Sequence, residues 1–119
     1  MPTEQTYLQE NVIRTVWTAP LKSEELSDCF TQLAKWLDSA THTTHILFDI
    51  SGAGSIPTQA PFLFIRAEIT KRPNMGRIAV VGTNPIAQIL AQMAVKMTSQ
   101  HILFFATEAD AMAYLNSDI

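Results

Sequence analysis

The stretch His45–Thr58, HILFDISGAGSIPT, decides the fold of this protein. Four of the six residues in His45–Ile50 are apolar, and such a run between polar residues predicts a strand that is buried on both faces. The polar residues that follow include Gly52 and Gly54 and predict a turn, and Thr58 is typical of a residue that caps a helix. In open α/β sheets, ligands and modifications collect beyond the carboxyl ends of buried strands. We therefore expect the functional site in this turn.

Strands and helices alternate on either side of this stretch. Two short strands joined by a turn at Glu10-Asn11 come first, at residues 7–9 and 12–19. The remaining elements are a helix capped by Ser23, the stretch described above with its helix, a strand at 77–82, a helix from Asn84-Pro85, a strand at 101–105 and a helix capped by Thr107. The order ββαβαβαβα predicts one α/β domain over residues 1–119. Its sheet has four to five mostly parallel strands and an antiparallel edge strand, and about four helices cover both faces.

The second and third helices are unusually apolar. We predict that the second runs from Thr58 to about Lys71, with Phe62 and Phe64 on different sides, so it is either deeply buried or a contact surface. The apolar spacing of the third helix predicts a core-facing stripe, formed by Ile86, Ile89, Leu90, Met93 and Met97. As an alternative role, four side chains of these helices are candidates for a partner or ligand surface: Phe62, Phe64, Met93 and Met97.

Composition limits the classes of function. Of 119 residues, 47% are hydrophobic and only 16% are charged, which leaves apolar surface for a second copy, a protein partner or an apolar small molecule. The net charge of −3 argues against nucleic-acid binding, which needs a basic face. Cys29 is the one cysteine, so neither an internal disulfide nor a cysteine-rich metal site is expected.

The chain shows no targeting or membrane signal. Its first five residues, MPTEQ, are polar and acidic and do not resemble a signal peptide. The uncharged stretch Ile78–Val95 is interrupted by a glycine, a proline and amides, so we read it as a strand and a helix and expect no membrane span. These observations favour a cytoplasmic protein.

The motifs that would indicate an enzyme are incomplete. Gly52-Ala53-Gly54 follows a strand as in dinucleotide-binding sites, but Pro57 stands where the third glycine should be. His42 and His45 lack the further ligands that a zinc site requires. Asp49 comes near the end of a buried strand, and its position favours hydrogen bonding within the following turn over a catalytic role. We expect no catalytic residue, no metal and no cofactor.

The sequence resembles the SpoIIAA-like proteins of the STAS superfamily, which are named after a bacterial anti-sigma factor antagonist. The resemblance extends from Val12 to Leu115 and rests on the order and spacing of segments rather than on one specific motif. The segments are Val12-Ile13-Arg14 leading to Ala19-Pro20-Leu21, then residues 46–51, 77–82 and 105–115.

This resemblance implies a role in protein–protein regulation. In the antagonists, an Asp-Ser-Ser-Gly motif at the start of the second helix carries a phosphorylated serine, and it falls here on Pro57-Thr58-Gln59-Ala60. Because only Thr58 keeps a hydroxyl, the resemblance favours constitutive binding over a phosphorylation switch. If the protein is phosphorylated, Thr58 or Ser55 is the acceptor, because a phosphate at a helix start is well placed.

Two functions follow from these observations. The first is a non-enzymatic regulatory module that works as a homodimer or binds a protein partner. Its recognition turn would contain Asp49, Ser51, Ser55 and Thr58, and the second and third helices would extend the contact. The second is a carrier or sensor of an apolar ligand or lipid, because the resemblance extends to the fold of lipid-transfer domains and the phenylalanines and methionines of these helices are suited to line a pocket.

Overall fold

The alternation of strands and helices along the chain produces one five-stranded sheet. The computed structural model describes residues 3–117. Its elements are β1 (Thr3–Gln9), β2 (Val12–Thr18), α1 (Ser23–Ser39), β3 (Thr44–Gly52), α2 (Ala60–Arg66), a 3₁₀ turn (Ile69–Lys71), β4 (Met75–Val81), α3 (Pro85–Thr98), β5 (Ile102–Phe105) and α4 (Glu108–Leu115). The predicted order is confirmed. β1 begins at Thr3, four residues earlier than predicted. The prediction missed these residues because they are mostly polar and carry no strand pattern.

The strands lie in the sheet in the order of the sequence, β1-β2-β3-β4-β5. The β1–β2 pair is antiparallel and the other three pairs are parallel, which confirms the predicted edge strand. β3 therefore has a strand on each side and helices over both faces, which explains its continuous apolar run. Because the strand order never reverses, this sheet lacks the crevice that forms at a topological switch point.

Two hydrophobic cores lie on opposite faces of the sheet. The larger core joins α1, α2 and α3 to one face, and Leu33, Ile46 and Ile78 are among its fully buried residues. The smaller core joins α4 to the other face through Ala111 and Leu115. Right-handed crossovers between successive parallel strands place α1, α2 and α3 on the same side, and only α4, which follows the last strand, is free to cover the other.

Three helix starts test the predicted caps. Asn84 caps α3, and its Oδ1 accepts hydrogen bonds from the backbone N–H groups of Ile86 (3.0 Å) and Ala87 (3.2 Å). Thr107 caps α4 by accepting from the N–H of Asp110, as predicted. The prediction for α1 was wrong. Ser23 is already helical, and the cap is Lys22, whose N–H donates to the Glu25 carboxylate in the reciprocal bond of a capping box.

The predicted extent of the second helix was also wrong. α2 begins at Ala60, with Gln59 as its cap residue, and Thr58 lies in the preceding turn without capping the helix. It ends at Arg66 because Glu68 adopts a left-handed backbone conformation (φ 58°, ψ 32°), which an α-helix cannot contain. The chain then makes one 3₁₀ turn before β4.

α3 turns a different face to the sheet from the one that its apolar spacing predicts. Its buried residues are Ala87, Leu90 and Ala94, whereas four of the five residues of the predicted core stripe are exposed: Ile86, Ile89, Met93 and Met97. The helix is apolar on most of its circumference, and the face with two alanines allows its backbone to approach the sheet most closely. Within residues 3–117, no helix is long and apolar enough to cross a bilayer.

Candidate functional site

The turn between β3 and α2 is held by two buried side chains and exposes its hydroxyl groups. Ala53 and Ile56 are buried in the larger core, and the N–H of Ala53 donates to the carbonyl of Ile50 (3.0 Å). Ser51 at the end of β3, which extends two residues further than predicted, and Ser55 and Thr58 in the turn are all exposed. The segment is therefore anchored to the core from within while it presents hydroxyl side chains to solvent, an arrangement suited to recognition.

Neighbouring loops hold this turn in place. The N–H of Ala19 donates to the carbonyl of Gly52 (2.9 Å), and the side-chain amide of Asn84 donates to the carbonyl of Gly54 (3.0 Å). Gly54 has a φ of +65°, at which other residues are strained, and a Cβ there would lie 3.3 Å from that of Ala19, so the turn favours glycine at this position. The turn is thus fastened to the end of β2 and to the start of α3.

Asp49 belongs to a different cluster from the hydroxyl residues. Its Oδ1 accepts from the N–H of Ser51 (3.1 Å), the kind of turn hydrogen bond that the sequence indicated. Its Oδ2 lies 3.3 Å from Nη2 of Arg14, and Nε of Arg14 lies 2.6 Å from the carboxylate of Glu108. This triad joins β2, β3 and the first residue of α4. It lies on the α4 face of the sheet, whereas Thr58 leads into α2 on the opposite face.

A polar cleft of about 370 Å³ lies beyond the carboxyl ends of β3, β4 and β5. Its lining includes Ser51, Gly54, Thr83 and Asn84, none of which has an acid or base group that titrates near neutral pH. The first N–H groups of α3, which in other proteins bind anions, are already bonded to Asn84, and Pro85 has none to offer. The residues that line the cleft therefore lack the groups for proton transfer, and the N–H groups of Ile86 and Ala87 are not free to bind a phosphate.

A small apolar cavity of about 80 Å³ lies between α2, α3 and the sheet. Phe64 lines it, together with aromatic residues of α1 and the sheet and apolar residues of α3; the lining includes Trp17, Phe30, Phe48, Leu90 and Ala91. Pockets for drug-sized ligands have volumes of roughly 300 to 1,000 Å³. In this conformation the cavity is too small for a lipid tail, and a larger ligand would need α2 and α3 to move apart.

The four side chains predicted for a partner or ligand surface separate into two environments. Phe62 is 51% exposed, and Met93 and Met97 are also exposed on α3. Phe64 is only 5% exposed and packs edge-on against Phe30 in the larger core. Helical geometry places residues 62 and 64 about 200° apart around α2, which is why one faces solvent and the other faces the cavity.

His42 and His45 form hydrogen bonds with different backbone groups and do not share a site. Nε2 of His42 lies 3.0 Å from the carbonyl of Glu10, and Nδ1 of His45 accepts from the backbone N–H of Arg77 (2.8 Å). Burial, and secondarily the charge of Arg77, lower the pKa of His45, so its neutral form is favoured. No group of three or more potential metal ligands occurs among residues 3–117.

Cys29 is a core residue in this structure. It is buried between α1 and the sheet, and its Sγ lies 3.5 Å from the hydroxyl of Thr15. Burial raises the pKa of the Cys29 thiol, and hydrogen bonding with Thr15 only partly offsets that effect. The thiolate, which is the nucleophilic form, is disfavoured at this position.

Comparison with known proteins identifies the family. A family model described as SpoIIAA-like matches residues 12–116. The chain belongs to the SpoIIAA-like family. Proteins with the SpoIIAA-like fold are typically regulatory, protein-interacting and non-enzymatic. A search of curated proteins returned no match.

Two solved structures share the SpoIIAA-like fold along almost the whole chain. The anti-sigma factor antagonist SpoIIAA in its unphosphorylated form matches with a TM-score of 0.73 at 11% identity, over 98% of both chains. An uncharacterised DUF3478-family protein from Shewanella loihica PV-4 matches with a TM-score of 0.67 at 16% identity, over 95% of this chain and 91% of that one. Identities this low show a common fold, not a common partner.

Proposed function

We propose that this SpoIIAA-like protein is a non-enzymatic regulatory module of the bacterial cytoplasm, which binds a protein partner through the turn after β3 and through α2 and α3. The observation that carries the proposal is the division of roles within the turn. Ala53 and Ile56 are buried, while Ser55 and Thr58 are exposed. A pre-formed turn loses little conformational entropy when it binds, which favours recognition by this segment.

Phe62 extends the recognition surface beyond the turn. It lies four residues after Thr58, and α2 follows the turn directly, since the N–H of Leu63 donates to the carbonyl of Gln59 (3.0 Å). Protein interfaces favour aromatic side chains at their centres, and the hydroxyl groups beside Phe62 can form hydrogen bonds with a partner. We therefore assign Phe62, and not the buried Phe64, as the apolar anchor for the partner.

The chemistry of the turn favours binding that is not switched by a kinase. The positions that the family resemblance assigns to the phosphorylation motif are Pro57, Thr58, Gln59 and Ala60. Thr58 keeps a hydroxyl and is exposed, but the neighbouring aspartate and serine are absent. We propose constitutive recognition, and Thr58 and Ser55 are the positions at which intact-mass analysis of protein from cells should look for a phosphate.

Photo-cross-linking tests the proposal directly. A photoreactive phenylalanine analogue at position 58 should capture a defined protein in cells, and the same analogue at the exposed Lys35 of α1 should not. The captured protein, once purified, should bind the wild type, and Phe62→Asp should weaken binding by about 100-fold because it places a charge in an apolar contact. Leu103→Asp, an exposed position on β5, is the matched control. Equal capture from positions 58 and 35 would refute the proposal.

A second candidate, a carrier or sensor of an apolar ligand, is favoured by the cavity beneath α2 and α3. Its lining is almost wholly apolar, and genuinely apolar cavities accept apolar guests rather than water. Native mass spectrometry should then detect a co-purifying lipid or other apolar molecule. Ala91→Phe, which fills the cavity from its partly exposed rim, should remove that adduct. A wild-type mass equal to the polypeptide alone would count against a carrier.

A further inference from the structure

The outward face of α3 is an apolar stripe without a partner in the described chain. Its members are Ile86 (53% exposed), Ile89 (60%), Met93 (37%) and Met97 (58%). Steps of three, four and four residues keep these side chains on one face of the helix, separate from the face that packs on the sheet. Helices that pack against each other along their length have apolar residues at the same three- and four-residue spacing.

The charges around the stripe favour approach by a second copy. No Asp or Glu occurs anywhere from residue 69 to residue 107, and Lys96 is the only charged residue of α3. The molecule as a whole carries a net charge of −3, so its acidic groups lie elsewhere. Two like-charged molecules repel each other least where both surfaces lack acidic groups, and α3 is such a surface.

We propose that two copies of this protein associate through antiparallel packing of α3 against α3. With the twofold axis between Ile89 and Met93, Ile86 meets Met97 of the second copy and Ile89 meets Met93 of the second copy. The rise of an α-helix then places the two Lys96 side chains roughly 14 Å apart along the helices, beyond a Debye length at physiological salt. Parallel packing would place the two ammonium groups at the same height along the helices, so charge favours the antiparallel arrangement.

The stripe is suited to form the centre of an interface between two copies rather than the whole of it. The four side chains present on the order of 400 Å², about half of the roughly 800 Å² that each partner contributes to a standard interface, so the residues around the stripe must supply the rest. The polar residues beside the stripe, Gln88, Gln92 and Lys96, are exposed and suited to form its rim. This inference rests on the proposed use of α3 as a contact surface and assigns that surface to a second copy, so the turn and Phe62 of α2 remain for the other protein partner.

The first experiment measures molecular mass. Light scattering and sedimentation velocity from 10 to 500 µM should show a monomer–dimer equilibrium, and Ile89→Asp should weaken it by about 100-fold or more, because a carboxylate would be buried in the seam. Leu103→Asp, on β5 beside the α4 face, should leave it unchanged. Both substitutions are at exposed positions, and circular dichroism should show native folding. A wild type that stays monomeric, or an Ile89→Asp variant that still dimerises, would overturn the proposal.

The second experiment tests the direction of packing. An equimolar mixture of Ile89→Cys and Met93→Cys should form a mixed disulfide faster than either variant alone forms its own, because only the mixed pair lies face to face across the axis. Cys29 is buried and does not compete. Faster self-cross-linking of each variant would overturn the antiparallel geometry.

The two proposals can fail separately. If the wild type is monomeric but the analogue at position 58 still cross-links a protein, then self-association is ruled out and the proposed recognition by the turn stands. A monomer that instead binds vesicles of phosphatidylcholine and phosphatidylglycerol through Ile89 would assign the face to a lipid surface and likewise overturn self-association.

Discussion

Asn84 performs two tasks at once, and a pair of substitutions separates them. Its Oδ1 caps α3 through the N–H groups of Ile86 and Ala87, and its Nδ2 donates to the carbonyl of Gly54 in the turn proposed for recognition. Serine keeps an oxygen for the cap but cannot reach Gly54, and alanine loses both contacts. Comparing Asn84→Ser with Asn84→Ala therefore isolates the cap, and comparing Asn84→Ser with the wild type isolates the link to the turn.

The expected costs follow from the kind of bond that is lost. A hydrogen bond between neutral groups at a partly solvated site contributes about 0.5–1 kcal/mol, so Asn84→Ser should lower the free energy of unfolding by that amount. Loss of an N-cap costs typically about 1 kcal/mol more, so Asn84→Ala should lower it by about 1.5–2 kcal/mol in total. Urea denaturation, with an unchanged m-value, measures both differences.

Amide hydrogen exchange locates the effects within the chain. In Asn84→Ser, exchange should accelerate at Gly54 and Ser55 while the amides of α3 stay protected. In Asn84→Ala, both segments should exchange faster. If the turn exchanges at the wild-type rate in both variants, then Asn84 does not hold the turn and the reasoning about the pre-formed recognition segment is refuted.

Three further predictions concern buried contacts. Gly76→Ala should destabilise the fold by about 1–3 kcal/mol, because its Cβ would lie 2.7 Å from Cε1 of His45. The penalty should be smaller in a His45→Ala background, where the 3.0 Å contact with Cγ2 of Thr43 remains, and equal penalties in both backgrounds would contradict the steric explanation. His45 has a lowered pKa in the folded state, so it contributes stability above its unfolded pKa of about 6.5 that is lost as pH falls through the folded value. His45→Asn, which retains an acceptor for the Arg77 N–H but does not titrate, should show a flatter stability profile between pH 7 and 5, and parallel profiles would argue against this linkage. Cys29 should react with a thiol reagent only at the rate of unfolding, which rapid labelling of the native protein at pH 8 would disprove.

Local signals in the sequence determined the elements and their order. Asn84-Pro85 and Thr107 mark helix starts because a cap satisfies N–H groups within its own turn, and no distant residue is needed. The apolar run of β3 is also a local signal, because adjacent apolar residues point to opposite faces of a strand and so predict burial on both faces. Once strands alternate with helices, right-handed crossovers leave few arrangements, so the parallel sheet and its antiparallel edge could also be predicted.

Tertiary contacts decided which apolar residues are buried. Spacing marks a stripe on α3 but cannot tell which side packs on the sheet when nearly the whole circumference is apolar. Ala87 and Ala94 decide it, because small side chains permit the closest approach. In α2, the left-handed conformation of Glu68 ends the helix, and no glycine or proline at that position announces the end in the sequence.

The candidate site shows the same division. The hydroxyl groups of Ser55 and Thr58 in the turn could be predicted from the sequence because composition and local turn chemistry reveal them, whereas Ser51, predicted in the turn, belongs to the end of β3. The assignment of Asp49 to a triad with Arg14 and Glu108 could not, because those residues are 35 and 59 positions away along the chain and meet only when the sheet and α4 assemble. Local backbone chemistry thus determined the turn after β3, while long-range packing decided which side chains lie beside it.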